Sequence, residues 1–278
     1  MKAASFAYER PANLNAALAL MAKTDGVAKI IAGGQSLGPM LNLRLVEPDL
    51  VVDISGLSEL KQAERSGDEL IIGACVTHGD VEDGRIPDVT RGAMQRVAST
   101  IAYRAVRNRG TIGGSLSHAD PAADWVSALS ALGAKVTLRS LAGVRDLAIE
   151  DFVTGALESA LQPGEIVEAV RVPVMAASAR WGYVKACRKT GEFPHAIAAV
   201  LIDPEQATAR AVIGALDATP IVLTDAASLF GGQVTGGFKR QFDARIVDAI
   251  LMKAGIVNAA DRHIHVAVLR RAIAGASA

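Results

Sequence analysis

Residues 106–124 read VRNRGTIGGSLSHADPAAD. Within them Thr111-Ile112-Gly113-Gly114-Ser115 places two adjacent glycines between hydroxyl side chains, with Ser117, His118, Asp120 and Asp124 following. Glycine lets the backbone turn sharply and approach a ligand closely. Thr and Ser hydroxyls can donate to phosphate oxygens, and a carboxylate suits ribose hydroxyls. Thr111–Ser117 is too rich in small residues to predict a helix or a strand. The bland alternative is a helix start in which Asp120 caps a helix opening at Pro121, with Trp125, Leu129 and Leu132 on one face. Both readings can hold together, Asp120 capping while Asp124 faces a ligand.

A second glycine pair stands upstream, in Ala32-Gly33-Gly34-Gln35-Ser36-Leu37. It follows an apolar run, Val27–Ala32, that reads as a short buried strand. Several N–H groups of such a loop can converge on one anion, and a diphosphate is the usual one. Gly38 is spaced wrongly for a GxGxxG fingerprint, and Pro39-Met40 stand where a Walker A loop needs Lys-Ser/Thr. On glycine content alone a plain β-turn carries equal weight. Two glycine-pair loops together favour a dinucleotide, whose two halves and diphosphate need more than one cradle.

Outward from these loops, Asn13 is placed to cap a helix through Met21, and Leu37–Leu45 reads as a short helix with Pro39 in its first turn. Leu50–Ile54 and Leu70–Ala74 read as strands, and Arg85–Tyr103 as a longer helix. Strands follow at Lys135–Ser140, Val144–Ile149 and Glu165–Val172. Arg180–Arg188, Ala196–Ile202 and Ala207–Ala215 predict three strands, antiparallel because their connections are short. Amphipathic helices at Ala244–Ala254 and Asp261–Ala274 close the chain. The resulting division is an N-terminal α/β part over 1–55, a middle α+β part over 56–177 and a C-terminal α+β part over 178–278.

Composition sets the outer limits. The 278 residues carry 29 Lys plus Arg and 29 Asp plus Glu. That balance points away from nucleic acid and from anionic membrane surfaces. Cys75 and Cys187 form no CxxC pair and imply no iron–sulfur or zinc site by themselves. There is no apolar run of the ~18 residues a membrane span needs, and no secretory h-region near the N-terminus. The expectation is a soluble, cytoplasmic protein.

The ordered matches are more specific than any of these. AGGQSL at 32–37, NLRL at 42–45, VDI at 52–54 and the long 106–124 stretch resemble the FAD-binding medium subunit of the molybdenum hydroxylases, the xanthine dehydrogenase and carbon monoxide dehydrogenase family. The resemblance runs nearly end to end, from Phe6–Pro11 to Leu269–Ala272. It implies a vanillyl-alcohol-oxidase-like (PCMH-type) FAD fold with a C-terminal α+β domain. It further implies that Ala32–Leu37 and Thr111–Ser115, with Ile112 among them, hold the FAD diphosphate. By the same resemblance Asp124 binds toward the ribitol or ribose, and Leu161 contacts the cofactor by its backbone, while His118, inside the motif, either lines the site or is purely structural, with equal weight. The family's Lys-x-x-Arg pattern falls on Lys185–Phe193, so that Lys185 is expected to reach the flavin and Phe193 to lie by the ring. Glu192, Pro194 and His195 depart from the pattern there, which bears on ring access and the electron acceptor.

The family's molybdenum cofactor and [2Fe-2S] clusters belong to a large and a small partner subunit, in a dimer of heterotrimers. The chain is thus expected to take electrons from iron–sulfur clusters and pass them from FAD to an external acceptor. The alternatives are a stand-alone FAD oxidoreductase acting on a small substrate, and an assembly protein that kept the fold. No catalytic dyad and no metal set is expected. His263 and His265 should point apart on a helix, His78 and His195 read as surface or polar-pocket residues, and Cys187 as core. Arg104, Arg107 and Arg109 form a solvated face or a docking patch.

Overall fold

The computed structural model describes residues 2–189 and 191–277, so Thr190 of the Lys185–Phe193 stretch lies outside the described residues. The N-terminal region comprises β1 (Ala7–Glu9), α1 (Leu14–Lys23), β2 (Ala28–Ile31), α2 (Leu37–Asn42) and β3 (Leu50–Asp53). Its parallel sheet has the order β1-β3-β2. Asn13 caps α1 as expected, its Oδ1 accepting from Ala16 N at 2.9 Å. Leu14, Ala17 and Leu18 then bury one stripe of that helix against Leu50, Val52 and Ile54. Residues 32–36 leave the carboxyl end of β2, where open parallel sheets form ligand crevices.

The next region contains β4 (Ala63–Ser66), β5 (Glu69–Gly73), α3 (His78–Glu82), α4 (Ala93–Thr100), α5 (Arg104–Arg107), α6 (Ile112–His118) and α7 (Asp124–Ala131). It continues through β6 (Lys135–Arg139), β7 (Val144–Ala148), α8 (Ile149–Phe152), β8 (Val153–Gly155), β9 (Glu158–Ser159) and β10 (Ile166–Pro173). An antiparallel sheet of order β4-β5-β10-β6-β7 backs the helices.

Three expectations are corrected here. The long helix over 85–103 does not form: Arg91 (φ 53°), Gly92 (φ 77°) and Ala102 (φ 41°) adopt left-handed backbone, and only Ala93–Thr100 is helical between them. Thr111–Ser117, thought unsuited to either element, belongs largely to α6. Thr111 Oγ1 caps it by accepting from Gly114 N at 3.1 Å, and the fully buried Ile112 and Leu116 pin one face. Burial on that face outweighs the poor helix propensity of Gly113 and Gly114. Finally, Asp120 does not cap a helix at Pro121. Its Oδ1 accepts from Ala122 N at 2.8 Å in a turn, and α7 begins only at Asp124.

The C-terminal region holds β11 (Arg180–Ala186), β12 (Ala196–Asp203), β13 (Thr208–Gly214), β14 (Ile221–Leu223), α9 (Phe238–Gln241), α10 (Ala244–Lys253) and α11 (Ala259–Gly275). The antiparallel sheet has four strands, β11-β12-β13-β14, where three were expected. Ile221–Leu223 was too short to stand out, yet it pairs with Ala211–Ile213. Cys187 falls just beyond β11 and is only half-buried, so it is not a core residue. Helices cover both faces of this sheet. Gly182 lets α11 lie flat on β11, since a Cβ there would stand 2.0 Å from the Ala272 carbonyl oxygen. Gly214 does the same for α7, where a Cβ would meet Ser127 Oγ at 2.0 Å.

Candidate functional site

The carboxyl end of β2, the start of α6 and the start of α7 converge on one cavity of about 700 Å³. The volume lies within the range of ligand pockets, roughly 300–1,000 Å³. The two glycine segments meet on its wall. A Cβ on Gly33 would lie 2.0 Å from the Arg109 carbonyl oxygen and 2.9 Å from Gly110 Cα, so the segments touch backbone to backbone. Gly113 is held equally tightly, because a Cβ there would lie 2.4 Å from Ala74 Cβ.

The two segments offer different chemistry. In the upstream loop, the backbone N–H groups of Gly33, Gly34, Gln35 and Ser36 have no acceptor among the described residues. Gly34 takes φ 70°, the left-handed conformation that lets successive N–H groups turn toward one point. In the downstream segment the first-turn N–H groups are already used. Ile112 N donates to Val76 O, Gly113 N to Ala74 O, Gly114 N to Thr111 Oγ1 and Ser115 N to Thr111 O. That segment contributes the glycine backbone surface and the Ser115 hydroxyl, and Thr111 Oγ1, which accepts in the cap, keeps its own O–H to donate.

Of the residues expected to hold the cofactor, Ala32, Gly33, Gly34, Gln35, Ser36, Leu37, Thr111, Gly113, Gly114, Ser115, His118, Asp124, Leu161 and Phe193 line this cavity. Ile112 and Lys185 do not. Ile112 points into the core, because i and i+4 of α6 are its anchoring face. Lys185 stands behind Asp124. Its Nζ donates to Asp124 Oδ1 at 2.7 Å and to the Thr100 carbonyl oxygen at 2.8 Å, and its side chain is 9% exposed. Tyr183 and Thr100 add two more ties, their hydroxyls donating to the same Oδ1 at 2.5 Å and 3.3 Å. Burial and the adjacent Asp124 carboxylate push the Tyr183 phenol well above its usual value, so it remains a donor. Asp124 Oδ2 takes no hydrogen bond from the described residues. One carboxylate oxygen is thus anchored on β11 and α4 while the residue forms part of the cavity wall.

At the mouth, Phe193 is 72% exposed and Leu157, at φ 60°, also borders the opening. Pro194 is buried in the wall, whereas His195 lies outside it and resumes strand pairing through His195 N to Ala186 O. Composition did not single out Gln162–Gly164, Gly110 or His78 as site residues, yet all line the cavity. Arg104 and Arg107 prove to be engaged with Glu82 and Asp83 of and beside α3 at 2.6–2.8 Å, so they do not form an open basic patch. His263 is exposed and His265 buried on α11, facing apart as their spacing predicts.

A glycine-lined cavity of this size at a parallel sheet's carboxyl edge is what a nucleotide cofactor needs, and residues 4–175 match the family model described as FAD binding domain in molybdopterin dehydrogenase. The chain belongs to this family. Its relatives include caffeine dehydrogenase subunit beta of Pseudomonas sp. (strain CBB1), 38% identical over 225 residues that cover 80% of this chain and 76% of the relative. Among solved structures, a carbon monoxide dehydrogenase chain from Hydrogenophaga pseudoflava superimposes with a TM-score of 0.86 at 28% identity, covering 99% of this chain and 98% of that one. A chain of quinoline 2-oxidoreductase from Pseudomonas putida 86 gives 0.84 at 30% identity, covering 99% and 97%. The chain is therefore an FAD-binding oxidoreductase subunit of the molybdenum hydroxylase type. It is a mixed α/β protein whose FAD-binding region is like that of the carbon monoxide dehydrogenase medium subunit. Among the described residues no helix is long and apolar enough to cross a membrane.

Proposed function

We propose that the cavity holds FAD with its diphosphate between Ala32–Leu37 and Thr111–Ser115, and that the chain relays electrons from a partner's iron–sulfur clusters to an external acceptor. The observation that carries this is the backbone contact between Gly33 and Arg109, which joins the two glycine segments into one cradle. The residues fit the group. The unused N–H groups of residues 33–36 suit a diphosphate, and the positions where a Cβ would collide are glycine. Bound flavin supplies the electron storage, and the chain supplies binding, orientation and electrostatics. Asp124, steadied by Lys185 and Tyr183, accepts from a ribityl or ribose hydroxyl. Leu161 and the Gln162–Gly164 turn close one side, and Phe193 shields the mouth. Lys185 acts through Asp124 and not by direct contact.

The same reading extends to the PCMH type of FAD fold, to the division at residues 55 and 177, and to a cytoplasmic dimer of heterotrimers with a large molybdenum-cofactor subunit and a small iron–sulfur subunit. Each of the three stretches has its own sheet, which supports that division. The test is to purify the full chain and measure flavin absorbance and FAD affinity, then to co-express it with the products of adjoining genes. Stoichiometric FAD and capture of both partners are the expected results. A folded chain without FAD affinity would refute the reading, and substrate turnover by the chain alone would replace it with the stand-alone oxidoreductase.

A further inference from the structure

His78 opens α3 and is 5% exposed. Trp125 on α7 donates its indole N–H to His78 Nδ1 at 3.0 Å, with the ring planes tilted by 49°. An indole nitrogen can only donate, so Nδ1 carries no proton and the neutral ring holds its hydrogen on Nε2. Burial, with the nearby Arg107 guanidinium, pushes the imidazole down to about 4, which keeps it neutral near pH 7.

The Nε2–H group has no acceptor among the described residues. Nor is it sealed in the core. Among the described residues the buried side-chain atoms without partners are Ser127 Oγ, Glu150 Oε2, Trp181 Nε1 and His265 Nδ1, and His78 Nε2 is not one of them. His78 is part of the cavity wall. Its place on that wall is set by one backbone hydrogen bond and by the close approach of its ring to Gly110. His78 N donates to the Gly110 carbonyl oxygen at 2.9 Å, and a Cβ on Gly110 would lie 2.8 Å from His78 Nε2. Gly110 adjoins Arg109, whose carbonyl oxygen is the atom Gly33 backs onto. The free donor therefore lies at the seam of the two glycine segments.

We propose that His78 is a cofactor-binding residue whose Nε2–H donates to a diphosphate oxygen of FAD at this seam, with Trp125 as the positioning residue that fixes the tautomer. This rests on the FAD reading above. An uncharged donor suits the position, since a neutral N–H is far less costly to bury than a cation. The upstream loop supplies backbone donors and the first-turn N–H groups of the downstream helix are spent, so side-chain donors, the Ser115 hydroxyl and His78 Nε2–H, serve that side.

The test uses the full chain, stripped of flavin and labelled with ¹⁵N-histidine, titrated separately with FAD, ADP and riboflavin. Long-range proton–nitrogen spectra are expected to show Nδ1 unprotonated and Nε2 protonated before addition. The Nε2 resonance should move with FAD and with ADP, and stay in place with saturating riboflavin. His78→Leu, which has no donor, should weaken FAD binding about tenfold, as loss of one hydrogen bond to a charged group does, and Trp125→Phe should let the two tautomers exchange. An unmoved Nε2 in a chain whose flavin fluorescence shows bound FAD would overturn the proposal and leave the FAD reading standing. A shift with riboflavin alone would also overturn it, by placing the ring against the flavin and not the diphosphate. A chain that takes up no FAD would remove both.

Discussion

Gly33 and Arg109 are in contact through backbone alone: a methyl group at position 33 would sit 2.0 Å from the Arg109 carbonyl oxygen. Residues far apart in the chain thus form one surface. Gly33→Ala must separate them, and forced overpacking of this kind costs about 1–3 kcal/mol. The expected outcome is a lowered Tm together with loss of bound FAD, read by absorbance. Gly38→Ala is the control, since a Cβ there meets nothing within 4 Å, and both readouts should stay near wild type.

Gly34 separates strain from collision. A Cβ there has 3.2 Å to Ile31 Cδ1, but its φ of 70° disfavours any side chain. Gly34→Ala is expected to destabilise by about 1–2 kcal/mol, the cost of left-handed backbone. Gly34→Asn, which tolerates that region better, should recover part of the loss in chemical denaturation.

Lys185 and Asp124 form a buried ion pair with side chains 9% and 8% exposed. Removing one partner strands the other charge, at about 3–5 kcal/mol. Lys185→Met should therefore be severe, and Lys185→Met combined with Asp124→Asn milder than Lys185→Met alone. The double-mutant cycle on unfolding free energy is the measurement, and additive effects would contradict the coupling.

His78 makes stability fall with acid. The unfolded ring has its ordinary value near 6.5, while in the folded chain it lies at about 4. Above pH 6.5 both states are neutral and nothing is lost. Between 6.5 and 4 only the unfolded state takes the proton, so stability declines as pH falls, by a total of about 3 kcal/mol below both values. Carboxylates such as Asp80 and Glu82, held low in the fold, add their own decline in more acid solution. The difference between wild type and His78→Gln isolates the histidine, and its slope should lie within that window.

Phe193 is 72% exposed at the cavity mouth, so Phe193→Ala should leave stability within about 0.5 kcal/mol. As a shield over bound flavin, its loss should raise the quenching of flavin fluorescence by iodide. Unchanged quenching would remove Phe193 from the site.

What was legible in the sequence follows from how local each signal is. Asn13 capping, the short helix after Gly33-Gly34 and the paired strands after Ser178 depend on neighbours in the chain, and these formed. The order of residues in 32–37 and 106–124 sufficed to name the cofactor family without any geometry. Tertiary structure alone decided the rest. Thr111–Ser117 became a helix because Ile112 and Leu116 found a core to enter, which no propensity records. Lys185 was turned from the cavity because Asp124, distant in sequence, sits across from it with the Thr100 carbonyl. His78 gained a fixed tautomer from Trp125 and a place beside Gly110 for the same reason. A hydrogen bond or a buried charge depends on which atoms packing brings within about 3 Å, and chain order does not specify that distance.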